Sequence, residues 1–282
     1  MIDEDQRSAT KDWSLSSNAP TNALPTQLGD TPPLQNVDLA DQPMTLVEHL
    51  KELRDRLIKM CAAVLLGMVG GFFLTQRVID YFKYVVHRAD PNSQLVQTET
   101  TDLISTYLMI TLYLGICFAM PVLIYQIIRF LAPGLTRIER RYVYATLPFA
   151  MIFFVAGVLF ASLVAIPNMY RFLLGFSAAG GITNLLRIGD VFGFFSSLSL
   201  WTGVFFELPI VMFLLAALGI VQFEVMRKTR KYAAVGLMIA AAVITPSPDA
   251  MSMMVVWAPM YLLYELGLLL ARFAGRRKQA TA

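Results

Sequence analysis

The chain has 282 residues, of which 56% are hydrophobic and 15% charged, with a net charge of +3 and a mean hydropathy of +0.58. Soluble domains carry about a quarter charged residues, so one soluble globular domain is excluded. Long apolar runs alternate with short basic clusters and lack the dyad alternation of membrane strands, so they are read as the helices of an all-α polytopic membrane protein.

Residues 1–43 come first. They hold seven acids against Arg7 and Lys11, and Pro, Ser, Asn and Gln fill much of the remainder. Such a composition cannot bury a core, and a disordered acidic tail is predicted. The first residues contain no basic or apolar region of a signal peptide, so none is expected. The tail is too acidic for an organellar transit peptide, which points to a bacterial source.

Residues 44–59 are predicted as an amphipathic helix at the membrane surface. Thr45 and Glu48 form a capping-box pattern, and Leu46, Leu50, Leu53 and Leu57 make one apolar stripe. This helix runs into a first span at about 58–74. A polar connecting segment, 75–101, follows and carries the turn signal Asp90-Pro91-Asn92. The second span is predicted at 102–128 and the third at 142–165. A loop around 167–190 then leads to a fourth span at 191–220. The fifth apolar run, 232–245, covers only about 21 Å as a helix, against a hydrocarbon core of roughly 30 Å. A Pro-Ser-Pro-Asp turn at 246–249 precedes the sixth span, 251–270.

Sixteen Lys and Arg residues gather on one side of this six-span layout and five on the other. The positive-inside rule puts the richer side in the cytoplasm, with both termini there. Prolines 121, 148, 167, 209 and 259 punctuate the spans and predict a curved, cupped bundle.

Chemistry-bearing residues are few. His49 and His87 fall on opposite sides of the membrane, and no HExxH, GxSxG, P-loop or Rossmann pattern is present. No catalytic group, metal site, cofactor or nucleic-acid partner is expected. Cys61 and Cys117 have no metal-binding spacing and read as small packing residues. Glu52 and Glu139 are embedded among cytoplasmic bases. Surface pairing is one reading, Glu52 with Arg56 and Asp55 with Lys59, each at i, i+4. Receipt of cationic ligand side chains, guanidinium groups above all, is the other. Glu207 lies near the middle of the fourth span, where a charge costs at least about 2.5–3.5 kcal/mol. It is read as protonated or facing a polar interior, with Ser197, Ser199, Trp201 and Thr202 as the available partners. Glu265 is expected to snorkel or to pair with a nearby base.

The stretches HLKELRDRL (49–57), FAMPVLIYQIIRFLAPGLTRIERR (118–141), FFELPI (205–210), ITPSPD (244–249) and APMYLLYELGLLLAR (258–272) resemble TatC. This family is the multi-spanning receptor subunit of the twin-arginine protein translocase, and the resemblance covers about residues 44–275. It implies a six-helix domain over 44–275, a short basic cytoplasmic C-terminus at 276–282, and a location in the bacterial inner membrane. It implies binding of twin-arginine signal peptides on folded cargo, driven by the protonmotive force. Glu52 and Glu139 would receive the arginines, with Arg54 in the same motif and Phe130, Pro133 and Leu135 shaping the site. Glu207 would be the acid of the concave membrane face and Asp249 that of the short outer loop. Implied partners are small single-span Tat subunits of the TatA/TatB type and further copies of the chain within a receptor complex. Two departures stand out: YFKYVVHRAD lacks an expected proline, and Met253 replaces a Gln found in some relatives. The alternative on residues alone is a proton- or ion-coupled small-solute transporter using Glu207, against which no inverted repeat is visible.

Overall fold

The computed structural model describes residues 46–131, 137–180, 184–245 and 249–280. The acidic tail, Thr45, Pro133, Leu135 and the prolines of the 246–249 turn lie outside the described residues, as does the side chain of Glu139.

The first helix, α1 (Leu46–Ala89), has 44 residues and is about 66 Å long, twice the hydrocarbon thickness. The predicted surface helix and first span are therefore one element, and the segment 75–89 is helical rather than a polar connection. Ile79, Phe82, Val85 and Val86 repeat at helical spacing and are buried, while Arg77, Asp80 and Lys83 are exposed. An amphipathic stripe, not uniform apolarity, carries the helix past the membrane. It stops at Asp90-Pro91-Asn92. Asp90 Oδ1 accepts the Asn92 N–H at 2.9 Å there, an Asx turn.

Helix α2 (Asp102–Leu131) follows a three-residue strand, β1 (Gln94–Val96), and packs back along α1. A Cβ on Gly67 would run into the Gly115 carbonyl, and one on Gly115 would meet Met68 Cγ at 2.5 Å. Only glycine permits this approach of the two backbones. Nearby, the buried Thr75 hydroxyl is 2.9 Å from that of Thr111.

Helix α3 (Arg137–Phe160), a π-turn (Ala161–Ala165) and α4 (Ile166–Ala179) run on without a loop. The expected break at Pro167 is thus corrected. The π-turn ends with Ile166 N–H bonded to the Ala161 carbonyl, a wider turn that makes room for the proline ring. Continuing that pattern, Pro167 would serve the Ser162 carbonyl, but it has no N–H. The Tyr81 hydroxyl of α1 donates to that carbonyl instead, at 2.9 Å.

A second short strand, β2 (Leu185–Arg187), pairs in parallel with β1, Leu95 opposite Leu186. The protein is thus mostly helical rather than purely so, since three-residue strands leave no periodic signal. The fourth predicted span is two helices, α5 (Ile188–Phe205) and α6 (Leu208–Ala217), broken at Phe206-Glu207 with Pro209 in the first turn of α6. Gly219, at φ 77°, ends the second of them. A short helix, α7 (Phe223–Lys228), leads to α8 (Arg230–Ile244), which matches the predicted short fifth run. The last helix, α9 (Ala250–Ala280), packs against α6 and α8.

Among the described residues, five segments are long and apolar enough to cross a membrane: Val47–Ala89, Asp102–Phe130, Arg140–Ser177, Ile188–Ala217 and Ala250–Phe273. Apolar side chains such as Leu66, Phe73, Ile152 and Val243 are exposed along such helices and on α8. Lipid tails are as apolar as leucine, so these faces are at home in a bilayer. The protein is a multi-pass membrane protein.

Candidate functional site

The start of α1 meets the end of α2 at the basic end of the molecule. Arg56 is buried there and grips Glu52 one turn earlier, with its Nε 3.0 Å from Oε1 and its Nη2 on the same oxygen. Its Nη1 lies 3.5 Å from Oε1 of Gln126, a buried polar residue of α2. His49 stacks on Phe130, ring centroids 4.4 Å apart, and its Nδ1 lies 4.0 Å from Glu52 Oε2. That second oxygen, Oε2, is enclosed and accepts no hydrogen bond among the described residues. A buried carboxylate oxygen without a donor is unfavourable by about 1–3 kcal/mol or more. It is an acceptor ready for a cationic donor.

Glu52 and Phe130, both predicted site residues, are brought together. Arg54 is not: its guanidinium holds Asp55 Oδ1 at 2.7 Å on the exposed side of α1. This also corrects the expected partner of Asp55, since the adjacent guanidinium reaches the carboxylate before Lys59 does. Glu139 lies in the first turn of α3. His49, Arg56 and Gln126 escaped the sequence reading as site residues. Gln126 carried a usable signal, a lone amide inside an apolar run.

Glu207 lies at the break between α5 and α6, at the N-terminal end of α6, and makes no capping bond. Its Oε1 is enclosed and lacks a hydrogen-bond partner among the described residues, so the serines and Thr202 of α5 do not satisfy it. Thr202 Oγ1 and Ser196 Oγ are unpartnered in the same way. Glu265, as expected, pairs with a base. Arg230 pairs with it and also donates to the Tyr261 hydroxyl. Asp249 Oδ2 accepts the Ser252 N–H at 2.7 Å, so it caps α9.

At the opposite end, Arg187 Nη2 lies 2.8 Å from Asp102 and 3.1 Å from Glu99. The hydrogen bond to Asp102 raises the Arg187 pKa. Asp102 Oδ2 also accepts the N–H groups of Thr98 and Glu99, at 3.0 and 2.9 Å. No cluster of potential metal ligands exists among the described residues.

The sequence model of the Sec-independent protein translocase protein (TatC) family matches residues 48–259. A TatC of Carboxydothermus hydrogenoformans is 36% identical over 83% of this chain and 96% of its own length. One of Deinococcus radiodurans is 37% identical over 86% and 92%. A crystal structure of the twin-arginine translocase receptor TatC superposes with a TM-score of 0.71 at 31% identity, over 80% of this chain and 99% of that one.

Proposed function

The chain belongs to the TatC family of Sec-independent protein translocase proteins, and on that premise we propose that it is the receptor that binds twin-arginine signal peptides of folded cargo. The observation that carries the reading is Glu52. One of its oxygens is held by Arg56, and the other is enclosed beside the His49–Phe130 stack without a donor among the described residues. An incoming guanidinium supplies a planar fork of N–H groups to that oxygen. Glu139 receives the second arginine, Phe130, Pro133 and Leu135 shape the surrounding surface, and Arg54 steers from the exposed face of the same helix.

In this reading residues 44–275 form a six-span, cupped domain, with α8 as the short fifth span. Fifteen residues of helix leave α8 too short for an unperturbed bilayer. Its pinning to α9, through Arg230–Glu265 and the Trp257 indole donating to the Ala234 carbonyl at 3.0 Å, supports it as part of the bundle. The acidic tail (1–43) and the basic C-terminus (276–282) flank that domain, and both termini are cytoplasmic in a bacterial inner membrane. Small single-span Tat subunits and further copies of the chain complete a receptor complex, and the protonmotive force drives transport. Glu207 supplies the polar point of the concave face, and Asp249 fixes the outer loop by capping α9. The interrupted helix at Glu207 is the one feature that also suits a proton-coupled small-solute transporter, and solute uptake by the purified chain alone would favour that reading.

The test is the affinity of the purified chain for a signal peptide with paired arginines against the same peptide with paired lysines. Lysine keeps the charge but loses the fork. The receptor reading predicts weaker binding of the lysine form by about threefold to tenfold, and equal affinity would refute the carboxylate–guanidinium assignment.

A further inference from the structure

A cleft of about 290 Å³ opens at the end of the molecule opposite the basic clusters. Tyr170 and Leu173 of α4, Leu185 and Arg187 of β2, Asp190 of α5 and Ser252 of α9 line it. Two of its polar groups, Ser252 and Asp190, are not consumed by the fold among the described residues. Ser252 is only 1% exposed, yet its hydroxyl has no hydrogen-bond partner among the described residues. Asp190 lies exposed in the first turn of α5 and belongs to no ion pair within 4 Å among them. Arg187 spends Nε and Nη2 on Asp102 and Glu99, and Nη1 makes no hydrogen bond among the described residues, so it faces the cleft as a further donor. At the mouth, Leu173 and Leu185 are 40% and 63% exposed.

We propose that this cleft binds the headgroup of phosphatidylethanolamine, its ammonium on Asp190 and the Ser252 hydroxyl and its phosphate on Arg187. A primary ammonium has three donors and no acceptor. The carboxylate and the hydroxyls of Ser252 and Tyr170 are the acceptors that it needs. The trimethylammonium of a choline headgroup has no N–H to give them. An anionic headgroup without an amine brings no cation to balance Asp190, the carboxylate that lines the cleft, and is repelled by it. The exposed leucines separate a lipid from a soluble amine of the same chemistry, since only the lipid brings alkyl chains to cover them.

The test is native mass spectrometry of the purified full chain in detergent, titrated with phosphatidylethanolamine, phosphatidylcholine and phosphatidylglycerol of the same acyl chains. Preferential retention of the ethanolamine lipid is expected. Asp190→Asn and, independently, Ser252→Ala should each reduce that retention by about fivefold. Ser252→Ala removes a single oxygen, so it carries the test should Asp190→Asn fail to fold. Equal retention of the three lipids, or undiminished preference in the folded variants, would overturn the site. Displacement of the bound lipid by excess soluble phosphoethanolamine would overturn its assignment to a lipid.

Discussion

The two ends of the bundle treat their charges differently. Where β1 meets β2, Asp102 is saturated by Arg187 and two backbone N–H groups, and Asp90 Oδ2 accepts from the Asn184 side chain at 2.9 Å. At the basic end, Glu52 is half satisfied among the described residues, with one oxygen on Arg56 and the other without a donor. A saturated network fixes the relative position of helices. A half-satisfied one stores an interaction for a ligand, because the desolvation of the unpaired oxygen has already been incurred. On the proposed function, the paired charges of the far end brace this protein and the basic end receives the signal peptide.

Breaking the brace gives the largest expected effect. Asp102→Ala strips Arg187 and two N–H groups of their acceptor at once, so the melting temperature should fall clearly while signal-peptide affinity of the folded fraction stays native. A loss of affinity without a loss of stability would reverse the roles of the two ends. Glu52→Gln should do the opposite. Peptide binding weakens by about tenfold, the scale of one charge-assisted hydrogen bond, and thermal unfolding changes little because the amide oxygen still accepts from Arg56. Fluorescence anisotropy with a labelled peptide, beside a thermal melt, separates the two. A smaller effect belongs to the strut between the ends. Tyr81→Phe removes the donor to the Ser162 carbonyl and should lower stability by about 1 kcal/mol, read by denaturant titration in detergent, with peptide affinity unchanged. Smallest of all is Arg54→Gln, whose pair with Asp55 is exposed and screened by water. It should leave stability native and reduce the rate of peptide association at low salt, as stopped-flow mixing would detect.

Much of the helix layout was legible in the chain, and little of the detail at either end. The second helix, predicted at 102–128, runs Asp102–Leu131, and the short run 232–245 is α8. In both, uniform apolarity between turn signals decides the element. The 75–89 stretch was misread because its charges masked a stripe of Ile79, Phe82, Val85 and Val86 that only packing reveals. Pro167 reads in sequence as a breaker, whereas the π-turn and the Tyr81 hydroxyl, a long-range partner, absorb it. At the basic end, the Glu52–Arg56 pair follows from i, i+4 spacing. The Arg56–Gln126 bond spans 70 residues, and neither it nor the His49–Phe130 stack has a local signature. The open oxygen of Glu52 could not be inferred from sequence at all, because it depends on what its neighbours fail to reach.

The most direct test of the central claim is site-specific crosslinking in native membranes from positions 52 and 139 to a twin-arginine signal peptide. Crosslinks at both positions that vanish when the paired arginines are replaced by lysines are the predicted result. Crosslinks that persist without the arginines, or none at either position, would contradict the assignment of the basic end as the arginine receptor.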